Sequence, residues 1–177
     1  STPTERYFIR RSREQEVVDA VLGEGFAGVL VTDFYAAYDH YPGVKQRCWS
    51  HLLADITEVC KQQLRHAGVR GWANGVRAIW ARASGACPVP AYREQQQRAY
   101  EQALLALCAP YLDDERAPQA VVCRRIEKYL SELFVFVGNP QVPATNNAAE
   151  RSLRPTVIAR KISGGTRAPG GTQTKMT

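Results

Sequence analysis

Apolar residues recur at helical or strand spacing along most of the chain. Residues 13–22 form one amphipathic helical pattern, with acidic residues in its first turns and four apolar residues on one face: Val17, Val18, Val21 and Leu22. Residues 28–32 form a short apolar run rich in β-branched residues, as in a buried strand, and residues 7–9 form a similar apolar triplet upstream. The opening therefore predicts strand, helix and strand, which implies a right-handed crossover onto a parallel or mixed sheet.

The middle of the chain has the periodicity of helices rather than strands. Two prolines within 84–90 and a polar stretch at 113–118 separate these helices. Apolar positions at three-and-four spacing predict four of them, over 52–64, 69–80, 92–111 and 122–137.

The C-terminal part predicts one more short helix and a tail. Asn147 and Glu150 have the spacing of a helix N-cap and its capping-box partner. After Pro155 the chain is basic and contains two Gly-Gly pairs, which predicts a flexible tail.

Composition narrows the class of protein. With 177 residues, of which 45% are hydrophobic, the chain can form a sizeable core. No purely apolar run in the sequence approaches the roughly 20 residues that cross a bilayer, so we expect a soluble cytoplasmic protein. The five cysteines contain no Cys-x-x-Cys pair, which argues against a disulfide framework and against a four-cysteine zinc site.

The net charge of +6 is unevenly distributed. Lys and Arg outnumber Asp and Glu by seven to two in 61–110 and by six to one in 150–177, whereas 1–60 and 111–149 are mildly acidic. Two separate basic zones favour a polyanionic partner, although a merely solvated basic face has the same composition.

Asp33 is the first candidate for chemistry. It lies one residue past the predicted strand, at the end where open α/β sheets place their ligands. A carboxylate on such a rigid backbone can meet a divalent cation. The same position also suits an Asp that caps the following turn, and both interpretations stay open.

Glu150 is the second candidate. Its capping-box spacing explains the residue without any metal. However, it follows two asparagines, Asn146 and Asn147, and it is the one acidic residue of a basic stretch. This pattern is typical of a metal-binding carboxylate beside a phosphate-binding surface. The surrounding cations are Arg151, Arg154, Arg160 and Lys161.

The string Cys48-Trp49-Ser50-His51 has the spacing of a metal-ligand pair. A zinc site needs two further ligands, and no second recognisable pair is present in the sequence. We therefore favour a structural role in which a buried Cys48 and Trp49 begin a helix and His51 presents a polar group to something specific.

Four blocks together resemble one family: residues 28–38, 48–51, 142–155 and 160–166. They are similar to the C-terminal catalytic region of bacterial transposases of the insertion sequence 66 type. The Thr-Asn-Asn-Ala-Ala-Glu-Arg block that begins at Thr145 is the most specific of them. The similarity extends over residues 6–172.

Such transposases are DDE enzymes in which two Asp and one Glu hold two Mg²⁺ or Mn²⁺ ions. The resemblance implies that Asp33 is the second Asp and Glu150 the Glu. It implies an α/β fold with a partial ribonuclease H-like core, strand-helix-strand plus a C-terminal helix, and a large all-helical insertion. Residues 1–60 would be the first part of the core and 61–118 the insertion, while 119–177 would hold the returning helix, the Glu-bearing helix and the basic tail.

The resemblance also implies partners. We expect DNA, both transposon ends and target, a homo-oligomer in the assembled complex, no membrane, and a bacterial cytoplasmic location at the nucleoid. Cys48 and Trp49 would be structural. The DNA-binding residues would be His51, Asn146, Asn147, Arg151, Arg154, Arg160 and Lys161.

Two departures from the family pattern define the alternatives. No Asp occurs in residues 1–12, where Glu5 is the one acidic residue, and Ala54 stands where the family usually has a basic residue. We therefore expect this chain alone to be inactive in DNA cleavage and strand transfer. A non-catalytic DNA-binding or regulatory remnant of a transposable element is the main alternative, and a helical zinc protein built on Cys48 and His51 is the third.

Overall fold

The computed structural model describes residues 15–23, 25–85 and 89–162, which are mostly helical with one small sheet. Residues 27–146 form one compact unit, and the segments on either side belong to a second. The strands are β1 (Leu30–Thr32) and β2 (Lys45–Arg47). The helices are α1 (Gln15–Leu22), α2 (Trp49–Gln62), α3 (Ala67–Gly85), α4 (Arg93–Cys108), α5 (Ala120–Lys128), α6 (Val135–Gly138) and α7 (Asn147–Ile162).

The amphipathic helix expected near the start of the chain is confirmed as α1. It ends at Gly23, whose φ of 72° is left-handed and whose N–H donates to the Asp19 carbonyl at 2.9 Å. Glycine adopts this conformation without steric cost, which explains why the helix stops there. The expected strand at 7–9, and with it the crossover, lies outside the described residues.

The sheet consists of β1 and β2, which run parallel with Thr32 opposite Arg47. The N–H of Cys48 continues the pairing by donating to the Thr32 carbonyl at 2.7 Å. The prediction of β1 is confirmed, whereas β2 was not predicted. Its residues are all polar, yet the side chains of Gln46 and Arg47 are fully buried.

The core of the 27–146 unit lies among the helices α2 to α6. Trp49 stacks on Trp80 with ring centroids 4.9 Å apart and meets Phe134 at 5.2 Å. Aromatic pairs of this kind add about 0.5–1.5 kcal/mol to the burial of their apolar area. The surrounding buried residues include Leu52, Ile56, Trp72, Val76, Ile79, Leu104, Cys108, Val122, Ile126, Leu133 and Val137.

The helix predicted over 122–137 is wrong in its continuity, because the chain divides there into α5, a 3₁₀ turn and α6. Side chains from the sheet end replace the helical hydrogen bonds. The Leu133 carbonyl accepts from Gln46 Nε2 at 3.0 Å and Trp49 Nε1 at 2.6 Å, and the Phe136 N–H donates to Gln46 Oε1 at 3.0 Å. Periodicity in the sequence does not report such long-range partners.

The last helix is longer than its pattern indicates. α7 begins at Asn147, one residue before the start that an Asn147 N-cap predicts, so Asn147 is not the N-cap and Glu150 is not its capping-box partner. The helix continues through Pro155 to Ile162, so the prediction of a flexible tail directly after Pro155 is wrong for 156–162. The remainder of the expected tail, 163–177, lies outside the described residues. Among the helices that the structure does describe, none combines the length and apolarity needed to span a bilayer.

Candidate active site at the carboxyl end of the sheet

Asp33 directly follows β1 and opens a tight turn. Its Oδ1 atom accepts the N–H of Tyr35 at 2.9 Å. Within the described residues, the other carboxylate oxygen accepts no hydrogen bond. The turn-capping interpretation of Asp33 is thus correct for one oxygen, while the second oxygen keeps its lone pairs for a cation or solvent.

Arg47 at the end of β2 fixes the backbone of this turn. The side chain is fully buried, and Nη1 donates to the Asp33 carbonyl at 2.9 Å. Its charge is balanced by Asp39, 2.6 Å from Nη2, and by Glu132, 2.6 Å from Nε. The guanidinium also lies 4.3 Å from the ring centroid of Tyr129. A buried cation with all three nitrogens engaged holds the loop after β1 rigidly.

Asp39 is the centre of this ionic cluster. Its Oδ2 accepts from Lys128 Nζ at 2.8 Å and from the Tyr129 hydroxyl at 2.9 Å. Burial alone would raise its pKa, but hydrogen bonds from Lys128, Tyr129 and Arg47 outweigh it and lower the pKa below the ordinary value. The same contact with Asp39 raises the pKa of Lys128. Asp39 is therefore ionised at neutral pH, and its oxygens are engaged by structural contacts.

Cys48 and Trp49 join the sheet end to a distant segment of the chain. Both side chains are fully buried. Cys48 Sγ accepts the N–H of Asn146 at 3.4 Å, and the Trp49 N–H donates to the Ala144 carbonyl at 3.1 Å. The structure thus brings the 48–51 block against residues 144–146, which belong to the first part of the 142–155 block.

Because Thr32 pairs with Arg47, the next residues on each strand, Asp33 and Cys48, emerge at the same edge of the sheet. Asn146, held by Cys48, belongs to this edge as well, and its Oδ1 is buried without a hydrogen-bond partner among the described residues. His51 is half-buried in the first turn of α2. This is the edge where parallel sheets place their ligands.

The other predicted site residues lie on α7, in the second unit. Glu150 is exposed in its first turn, and Arg151 and Arg154 are exposed beside it. Asn147 is the exposed first residue of the helix, and residues 160–161 belong to its last turn. An acidic residue in the first turn and basic residues in the last turn suit the helix dipole, so Glu150 and residues 160–161 are favourable at these positions without any ligand.

A scan against models of protein families matches residues 1–174 to the Transposase IS66 family. The chain belongs to the IS66 transposase family. The resemblance stated from the sequence is thereby confirmed. No curated protein and no solved structure shows a significant match to this IS66-family chain.

No three His, Cys, Asp or Glu side chains of this IS66-family chain lie close enough together for a metal site within the described ranges. In the 27–146 unit Asp33 offers one oxygen, and the thiol of Cys48 is occupied by a backbone N–H. The arrangement around Cys48 gives no support to the zinc interpretation. Carboxylate oxygen is the donor type that Mg²⁺ and Mn²⁺ prefer, so the chemistry of Asp33 fits a hard cation.

Sequence reasoning missed Arg47, Asp39 and Glu132. Arg47 and Glu132 are 85 positions apart, and charged residues are normally exposed, so no local pattern marks them as a buried pair. The position of Arg47 just before the 48–51 block was the one available signal.

Proposed function

We propose that this chain acts in metal-dependent DNA strand cleavage and strand transfer, as part of the catalytic region of a DNA transposase. Asp33 and Glu150 are the metal-binding carboxylates in this proposal. The observation that carries it is Asp33 itself, which stands at the carboxyl end of a parallel strand with one oxygen fixed by the turn and the other without a hydrogen bond from any described residue. Membership of the IS66 transposase family supports the reaction class.

The metal required would be Mg²⁺ or Mn²⁺, as the name DDE transposase implies. A pair of such ions, when bound, supplies acidity to the attacking water or 3′ hydroxyl and neutralises charge on the leaving oxygen. The protein must hold its carboxylates in place for this chemistry. Arg47 does so for Asp33 by fixing the backbone carbonyl, and the Tyr35 N–H does so by fixing Oδ1.

DNA is the proposed partner, in the form of transposon ends and target. The proposed contacts lie at two places, next to the sheet edge and along α7. The residues are His51, Asn146, Asn147, Arg151, Arg154, Arg160 and Lys161. Arg151 and Arg154 are exposed on α7 and support a phosphate contact, since a guanidinium binds phosphate oxygens in a bidentate manner.

The architecture proposed with this function is a partial ribonuclease H-like core with a helical insertion. The parallel β1–β2 pair, followed by the helices α2 to α5 before α7, supports it. The boundaries 1–60, 61–118 and 119–177 remain part of the proposal. So do assembly as a homo-oligomer on DNA and a location at the bacterial nucleoid.

The test is Mn²⁺ binding, followed by the electron paramagnetic resonance signal of the free ion. We expect D33N and E150Q each to lower Mn²⁺ affinity by at least about tenfold, since each removes a charged ligand. Both variants keep the hydrogen-bond acceptor that a purely structural role of Asp33 or Glu150 requires. In D33N the Oδ1 of the introduced amide would still accept the Tyr35 N–H, and in E150Q the introduced glutamine keeps a side-chain oxygen acceptor in the first turn of α7.

Two exposed carboxylates of the polar link, Asp113 and Glu115, provide the matched controls. D113N and E115Q should bind Mn²⁺ as the original chain does. In a cellular transposition assay with the full reading frame, D33N and E150Q should abolish transposition and the controls should not. Unchanged Mn²⁺ binding by D33N and E150Q, with DNA binding retained, would contradict the proposal and favour a non-catalytic remnant.

A further inference from the structure

We infer that the exposed face of the α2–α3 helical hairpin is a docking surface for the phosphate backbone of duplex DNA. This hairpin surface consists of the exposed Lys61, Arg65 and Arg70 and the half-buried Arg77, and it lies on different residues from the proposed metal and DNA contacts above. The inference rests on the proposed function, because it names a further surface through which the same partner binds.

The first observation is the distribution of charge along the chain. Between Glu58 and Glu94, residues 59–93 contain six Lys or Arg and no Asp or Glu. This stretch covers the end of α2, all of α3 and the start of α4. The connection at 61–66 also lines a concavity of ≈ 470 Å³. Cations without nearby carboxylates create a positive potential that attracts a polyanion.

The second observation is how the cations of the 27–146 unit are paired. Among the cations of this unit outside 59–93, Arg116 and Arg124 have no carboxylate partner within the described residues, and Arg98 meets Glu94 only at 3.9 Å between exposed side chains. Ion pairs with carboxylates engage the others: Lys45, Arg47, Arg125 and Lys128. By contrast, no carboxylate among the described residues pairs with Arg65, Arg70, Arg77, Arg82 or Arg93. Lys61 does meet Glu58 at 3.7 Å, but both side chains are more than half exposed, and such a pair is weak.

The third observation is that two guanidinium groups are held in place on the same face. Arg70 and Arg77 are seven residues apart, which is about 10.5 Å along α3. Arg70 Nη1 donates to the Leu64 carbonyl, and Arg77 Nη2 lies 3.3 Å from the Thr57 hydroxyl of α2. Each keeps further N–H donors for a phosphate. Their separation is close to the major-groove width of about 12 Å, so both can reach backbone phosphates of one duplex.

The aromatic residues of the hairpin argue for duplex rather than single-stranded DNA. Single strands bind by stacking their bases on exposed aromatic rings. In α2 and α3, Trp49 and Trp72 are buried, and Trp80 stacks on Trp49 at 4.9 Å. The hairpin therefore offers charge and hydrogen-bond donors but no stacking platform.

The test is binding to a fluorescent duplex of about 30 base pairs in EDTA, between about 50 and 200 mM KCl. At about 0.1 M salt, one phosphate contact is worth about eightfold in affinity, so we expect R70Q/R77Q to bind about 60-fold more weakly. The slope of log K against log salt should fall by about two. R70K/R77K, which keeps both charges, should stay within about threefold of the original chain.

R116Q/R124Q is the matched control, since it removes the same charge from exposed positions outside the surface. Arg124 resembles Arg70 closely, because its Nη1 also donates to a backbone carbonyl, that of Leu112 at 3.1 Å. We expect its duplex affinity to change by less than about twofold. An equal loss in both double variants, or no duplex binding by the original chain, would overturn the inference. Neither outcome affects the Mn²⁺ test of Asp33 and Glu150.

Lysine acetylation gives a second measurement that needs no variant. The side chains of Lys61 and Lys128 are similarly exposed, at 69% and 60%. Duplex DNA should slow acetylation of Lys61 several-fold and leave Lys128 unchanged. If DNA slows the acetylation of Lys61 no more than that of Lys128, the inference is overturned, even if R70Q/R77Q does not fold.

Discussion

Arg47 and Arg70 show two opposite uses of the same side chain. Arg47 is fully buried, and its guanidinium is enclosed by Asp39, Glu132 and the backbone of Asp33. Arg70 is exposed, donates to one backbone carbonyl and forms no ion pair with the described residues. The first arginine is satisfied inside the molecule, and the second keeps its charge for an external anion.

The difference matters because burial changes the cost of losing a charge. Removing a buried cation takes from its carboxylates a partner whose attraction is strong in a medium of low dielectric. Removing an exposed cation exchanges one solvated surface for another. Arg47 at the sheet edge should therefore govern stability, and the arginines of the hairpin surface should govern binding.

The largest expected effect is that of Arg47→Met. It removes the buried cation shared by Asp39 and Glu132, which then keep only Lys128 and Lys45 as cationic partners, so we expect the free energy of unfolding to fall by about 3–5 kcal/mol. Urea unfolding followed by circular dichroism measures this loss. The turn at Asp33 also loses its hydrogen-bond donor, so Mn²⁺ affinity should fall as well.

Arg125→Met is the matched control for this effect. Arg125 pairs with Asp55, but these two side chains are 34% and 42% exposed. We expect a loss of only about 1 kcal/mol or less. If Arg47→Met and Arg125→Met lower the free energy of unfolding equally, burial does not distinguish the contributions of buried and partly exposed arginines to stability.

Much of the fold follows from local pattern, because amphipathic faces determine the helices. The apolar spacing located α1 to α4 and β1, and the Asn147–Glu150 spacing located the start of α7 to within one residue. β2 was missed because buried Gln46 and Arg47 make it look polar. Its burial depends on Leu133 and Glu132, which are far away in the sequence.

The candidate site was predictable as a set of residues but not as an arrangement. Asp33 and the 48–51 block stood out by type and spacing. Nothing local indicates that Cys48 receives the N–H of Asn146, 98 positions later. The ionic cluster behind Asp33 depends entirely on such long-range contacts, so it emerges only from the structure.

Asp39 gives the next largest effect, and a pH dependence. Its folded pKa lies below the ordinary value of 3.8, so its stabilisation is present at neutral pH and is lost as the pH falls through the folded pKa. Asp39→Asn should cost about 1.5–3 kcal/mol at pH 7, the worth of hydrogen bonds to a charged group. We expect this cost to shrink below about pH 4 in urea unfolding.

The exposed Glu115 provides the control for that measurement. Glu115→Gln should leave both the stability and its pH dependence close to those of the original chain, within about 0.5 kcal/mol. A difference between Asp39→Asn and the original chain that stays constant down to low pH would mean that the Asp39 charge contributes nothing.

The smallest effect on stability is expected for Arg70→Gln, and it is the sharpest test of the comparison. Its single hydrogen bond to the Leu64 carbonyl is solvent-exposed, so the free energy of unfolding should change by less than about 0.5 kcal/mol. Arg124→Gln, which loses an equivalent hydrogen bond, should change the free energy of unfolding as little as Arg70→Gln does. Only Arg70→Gln should lower the affinity for duplex DNA. A loss above about 1 kcal/mol for Arg70→Gln alone would mean that Arg70 fixes the α2–α3 connection. In that case the arginine of the hairpin surface would be structural, like Arg47, and the division between stability and binding would not hold.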